Sequence, residues 1–105
     1  MARPVYMPGT PHAKAHRQVA REMGLTERQA AVIEDLAYRG PRTLRLHEAM
    51  SLTKATAPFI QTYGRSGPGQ QFAYATTIAG RSLGIQIRER RRELVHEMTV
   101  MGDEG

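Results

Sequence analysis

Cysteine and tryptophan are absent from the 105 residues of this chain. The first absence excludes disulfides, thiolate zinc sites and a cysteine nucleophile, and is compatible with a cytoplasmic setting. Aromatic residues are only 6% of the total, so apolar character rests on Ala, Leu, Ile, Val and Met. That composition suits helices that complete their cores against a second copy or another subunit. No apolar run approaches the roughly 20 residues of a membrane-spanning helix, and the first residues lack the basic-then-apolar pattern of a signal peptide. Catalytic constellations are missing too. The only aspartates are Asp35 and Asp103, no histidine has an evident nucleophile partner, and no serine has the strand-to-turn context of a nucleophile elbow. Glu34 and Asp35 are adjacent on a predicted helix, point in different directions and form no carboxylate dyad. The expectation is a protein that is not an enzyme and needs no cofactor.

What is present is positive charge, and its placement says more than its sum of +5. From Ala49 to Arg88 there is no Asp or Glu, while Lys54, Arg65, Arg81 and Arg88 lie in that run. Arg39, Arg42, Arg45, Arg90, Arg91 and Arg92 flank it. Arginine outnumbers lysine thirteen to two, and guanidinium groups grip phosphate oxygens bidentately. An anionic partner follows from this, as does the codon bias of a GC-rich genome, which supplies Arg, Ala and Gly whatever the function.

The length predicts a single small domain that buries about 60 to 70% of its unfolded surface. Residues 1–9, MARPVYMPG, carry two prolines and no helical period, and read as an extended N-terminal arm. Residues 10–64 read as a helical core. Thr10 caps a first helix with Pro11 at its first position and Gly24 at its end. His12 and His16, four apart on it, have metal-ligand spacing but no third ligand, so no metal is expected. Thr26 and Gln29 form a capping box for the next helix. Ala30, Ile33, Leu36 and Ala37 give it one apolar face, and Gly40 with Pro41 stop it. Thr43 can cap a short helix with Leu44, Leu46, Ala49 and Met50, and Ser51 or Thr53 another with Ala55, Phe59 and Ile60.

Residues 65–105 read as a linker and a long C-terminal helix. Gly64 to Gly69, GRSGPG, is a flexible connector, and Gln70 to about Met101 carries a near-heptad apolar stripe through Phe72, Ala75, Ala79, Leu83, Ile87, Leu94 and Met98. Gly80 and Gly84 predict either close approach of another helix or a break. Residues 82–88, SLGIQIR, also alternate, and a strand there would make a winged helix-turn-helix. RERRRE at 88–93 is either a phosphate-contacting face or a solvated surface with Glu89–Arg92 and Arg90–Glu93 pairs.

The segment AMSLTKATAPFI, residues 49–60, resembles the turn of a helix-turn-helix, and LTERQAAVIEDLA, residues 25–37, is similar to the opening helix of many bacterial regulators. The resemblance puts Ser51 at the turn glycine, Leu52 on the buried turn position, and Lys54 and Thr56 on positions that face DNA. His47, where the family prefers a small residue, and Pro58, inside the recognition helix, depart from it. A single helix from Arg42 to about Ala57 is the rival arrangement. A helix-turn-helix followed by a long helix is also similar in layout to small terminase subunits of tailed phages.

The resulting expectation is an all-α domain with a helix-turn-helix core and a long C-terminal helix. Its function would be that of a small basic DNA-binding protein, a transcription regulator or a phage DNA-packaging protein, acting as a homo-oligomer. Arg42, Arg45, Lys54 and Thr56 would meet the duplex, with Arg65 within reach of a phosphate. The alternative is a structural or assembly protein whose arm and C-terminal helix bind other subunits.

Overall fold

The computed structural model describes residues 9–66 and 71–101. The elements run α1 (Pro11–Glu22), α2 (Glu27–Arg39), β1 (Arg42–Thr43), α3 (Leu46–Met50), β2 (Ile60–Ser66), β3 (Gln71–Thr76) and α4 (Ile78–Met101). The chain is therefore mainly helical, and the all-α expectation is corrected by a three-stranded antiparallel sheet in the order β1-β3-β2. Residues 1–8 of the arm and 67–70 of the connector lie outside the described residues.

The first two helices form as their end signals dictate. The Thr10 hydroxyl accepts from the Ala13 amide at 3.2 Å and Pro11 opens α1, while Gly24 takes the left-handed conformation after it, at φ +73°. At α2 the Thr26 hydroxyl accepts from Gln29 N at 3.1 Å, and the Gln29 side-chain oxygen accepts from Thr26 N at 3.0 Å. Gly40, at φ +90°, ends the helix.

Beyond Gly40 the expected order fails in three places. Thr43 does not cap a helix but sits in β1, opposite Ala73; α3 starts three residues later, where the Glu48 carboxylate accepts from the Arg45 amide at 2.8 Å. The helix expected to contain Ala55, Phe59 and Ile60 does not form. Residues 54–59 run as turns, with Thr56 N bonded to Thr53 O, Ala57 N to Lys54 O and Phe59 N to Thr56 O. Pro58 has no amide to continue an α-helical ladder, and the Thr56 hydroxyl bonds the Thr53 backbone in competition with it. Neither the recognition helix nor the single helix from Arg42 to Ala57 is there. Finally, the stretch expected to open the long helix is a strand: Gln71–Thr76 is β3, and α4 starts at Ile78.

Thr77 separates strand from helix. Its hydroxyl accepts from Gly80 N at 3.1 Å and donates to Pro58 O at 2.7 Å, and its amide donates to Phe59 O at 3.1 Å. Phe72 and Ala75, which matched the heptad stripe, belong to the sheet. Residues 82–88 are helical, so the competing strand does not occur there.

The core joins Ala15, Val19 and Ala20 of α1, Ala30, Val32, Ile33 and Leu36 of α2, Leu44, Ile60, and Ile87 and Leu94 of α4. α4 packs against both α1 and α2. The glycine pair reports close approach. A Cβ on Gly84 would lie 2.5 Å from Ala37 Cβ and 3.2 Å from Ile33 O, and one on Gly80 would lie 1.9 Å from Phe59 O. Helix propensity alone would make alanine at either site more stable by about 1 kcal/mol. Overpacking, at roughly 1–3 kcal/mol and more against backbone, outweighs it. Gly80→Ala and Gly84→Ala are each expected to lower the urea midpoint and the melting temperature; a gain in stability in either would show that the close approach is not there.

Candidate nucleic-acid interface

The run without carboxylates, Ala49 to Arg88, comprises the end of α3, the turns, the hairpin of β2 and β3, and the first half of α4. It closes on itself, because Thr77 and Gly80 meet Pro58 and Phe59. The turn after α3 is anchored to α2 by Gln29, whose amide nitrogen donates to Ser51 O at 2.7 Å and Thr53 Oγ1 at 3.3 Å. The capping glutamine of α2 thus also fixes where the turns begin.

On this frame the five expected contact residues separate. Lys54, in the turns, and Arg45, ahead of α3, are exposed, and neither makes an ion pair among the described residues. Arg42 is turned inward instead. Its guanidinium donates to Asp35 at 2.6 Å and to both Glu48 oxygens at 2.9 and 3.1 Å. Glu48, with Asp35 beside it, raises the Arg42 pKa above its ordinary value, and Arg42 in turn lowers that of Glu48. Arg42 therefore ties β1 to α2 and α3. Thr56 is 1% exposed; its hydroxyl accepts from Thr53 N and donates to Thr53 O, both at 2.9 Å. Arg65 is placed by its backbone on β2, opposite Phe72. Arg81, which the helix-turn-helix pattern passes over, is exposed in the first turns of α4, one residue from the Gly80–Phe59 contact. The sequence signal for it was its place in the run without acids.

The RERRRE block is not simply a solvated surface. Arg91 is 7% exposed and donates through both terminal nitrogens to the two oxygens of Glu34 at 2.5 Å. Arg88 Nε donates to Glu34 at 2.8 Å, with its guanidinium carbon 3.5 Å from the centroid of the Tyr38 ring. Burial pushes the Glu34 carboxyl up, but the hydrogen bonds from Arg91 and Arg88 outweigh it and hold the group below the usual carboxylate range. Arg90 bridges Glu22 on α1 and Glu93, the second a pair that the spacing predicts. Asp35 faces Arg39 and Arg42, so the two neighbouring acids do diverge.

His16 is buried and its Nε2 donates to Glu27 O at 2.9 Å. Among the described residues no group of three or more His, Cys, Asp or Glu side chains could hold a metal ion, and no helix is long and apolar enough to cross a membrane. Comparison with known proteins finds no matching family, no similar characterised protein and no similar solved structure.

A carboxylate whose pKa is lowered on folding contributes stability that is complete above its unfolded value, near pH 4.5, and is lost as pH falls through the folded value. Glu34→Gln leaves Arg91 buried without its charge partner, at an expected cost of about 3–5 kcal/mol at neutral pH. Because the variant no longer has this group to protonate, its stability should fall less steeply than the parent's below pH 4.5. Urea unfolding from pH 7 to pH 3 checks both, and parallel curves would remove Glu34 from the acid response.

Proposed function

We propose that this chain is a small basic protein that binds duplex DNA through the surface formed by α3, the turns, the β2–β3 hairpin and the start of α4. The observation that carries the reading is that the run without carboxylates folds back into one unit, with Arg45, Lys54 and Arg81 exposed on or beside it and not neutralised by acids among the described residues. Such a surface attracts phosphates, whose counterions are released on binding. The layout supports the same reading. A helix, a short strand, a second helix, turns and then a hairpin, with β1 added on the far side of β3, is similar to a winged helix-turn-helix in which residues 54–59 replace the recognition helix. Contacts are then mostly to the backbone of the duplex, since Thr56 is withdrawn from it. A transcription regulator and a phage DNA-packaging protein both need this chemistry.

A second reading is favoured by one further observation. Ile78 is 93% exposed, Leu46 76% and Met50 73%, apolar area suited to another subunit, either in a homo-oligomer or in an assembly with partner proteins. The two readings separate in one experiment. Binding to a short duplex is measured at several salt concentrations for the parent and for a variant with Arg45→Ala, Lys54→Ala and Arg81→Ala, whose helicity is checked. The slope of log affinity against log salt is expected to fall by about three in the variant. Absence of binding near physiological salt, or an unchanged slope, removes this surface and leaves the assembly reading.

A further inference from the structure

A pocket of about 190 Å3 opens between the first turn of α1 and the second half of α4, lined by His12, Arg88, Arg91, Arg92 and Val95. We propose that it binds a phosphate group, either as the free ion or as a monoester of a small molecule. Arg88, Arg91 and Arg92 stand at three- and four-residue spacing and so share one face of α4. Glu34 is the carboxylate that meets the first two, and Arg92 has no ion pair among the described residues. Among the described residues the pocket presents three guanidiniums, and the carboxylate that meets two of them is Glu34. Like charges four apart on a helix repel, and an anion between them relieves that repulsion.

The cations are already in place. Arg88 is held by Glu34 and by stacking on Tyr38, and Arg91 by both oxygens of Glu34. A guanidinium carries five N–H donors, and the bond from Arg88 to Glu34 uses its Nε alone, leaving its terminal nitrogens without a carboxylate among the described residues. Little side-chain freedom is lost when a ligand arrives at groups fixed in this way. α1 contributes from the other wall: its first turn contains no acidic residue, so the positive end of its dipole has no carboxylate of its own there.

At about 190 Å3 the pocket is smaller than the roughly 300 Å3 at which sites for drug-sized molecules start, so it takes the phosphate group and leaves the remainder of an ester outside. Arg92 lies eleven residues along α4 from Arg81, about 16 Å at the helical rise. The site is thus separate from the surface proposed to meet DNA and stands whether or not that proposal holds.

The test is calorimetric titration of the full chain with inorganic phosphate and with glycerol phosphate, at ionic strength matched with chloride, repeated with Arg92→Ala and Arg92→Glu. Arg92 is exposed, and circular dichroism checks that both variants keep the fold. Saturable binding of one phosphate group per chain is expected, weakened at least tenfold by Arg92→Ala and abolished by Arg92→Glu. Tighter binding of the ester would identify an organic phosphate as the ligand, and tighter binding of the ion would identify free phosphate; either supports the site. No saturable binding up to about 10 mM, equal affinity in the parent and Arg92→Ala, or displacement of phosphate by a duplex would overturn it, the last because the pocket would then be part of a nucleic-acid contact.

Discussion

Placement of the long helix depends on how closely α4 can approach α2 while keeping a buried carboxylate satisfied. Glu34 faces inward from the middle of α2 and is 7% exposed. Leaving it ionised there without partners would cost several kcal/mol. Arg91 and Arg88 reach it because α4 passes close enough for Gly84 to have no room for a side chain beside Ile33 and Ala37. The glycine and the ion cluster are therefore one constraint. Close approach without the arginines would bury a bare charge.

The remainder of the structure inherits that position. Once α4 is fixed on α2, its first turn brings Gly80 against the Phe59 carbonyl and Thr77 within reach of Pro58. Those contacts hold the turns that follow α3, and Gln29 holds their other end. Lys54 and Arg81 come from distant parts of the sequence onto elements that touch. The candidate interface is a consequence of helix packing more than of any local motif.

Arginines of identical chemistry take different roles here according to the carboxylates the fold brings to them. Arg91 is buried in its pair, whereas the Arg39 side chain in its pair with Asp35 is 79% exposed and worth little in water. Arg42 is consumed by Asp35 and Glu48, and Arg90 by Glu22 and Glu93. Among the described residues Lys14, Arg21, Arg28, Arg45, Lys54, Arg81 and Arg92 are exposed and make no ion pair, and these are the cations open to an anionic partner. A count of positive charge along the chain does not separate these groups, because three of the partners, Glu22, Glu34 and Asp35, belong to helices that precede most of the arginines they neutralise.

By itself the sequence determined α1 and α2, their caps, their apolar faces and the stops at Gly24 and Gly40, because those signals act within a few residues of the backbone they satisfy. It also marked the region without acids as a place for an anionic partner, and left the glycine pair open between close approach and a break. It could not settle residues 54–76. Turn, strand and helix were all compatible there with a stretch broken by Pro58 and rich in threonine and alanine, and spacing of three between Phe72 and Ala75 suits a helix even though both lie on a strand. Pairing with β1 and the bond from Thr77 to Pro58 decided it, through partners 15 or more residues away. Tertiary structure alone put Arg42 into its ion pairs with Asp35 and Glu48, Thr56 into the interior and Arg81 on the surface, since whether a polar group meets solvent depends on which acceptor reaches it first.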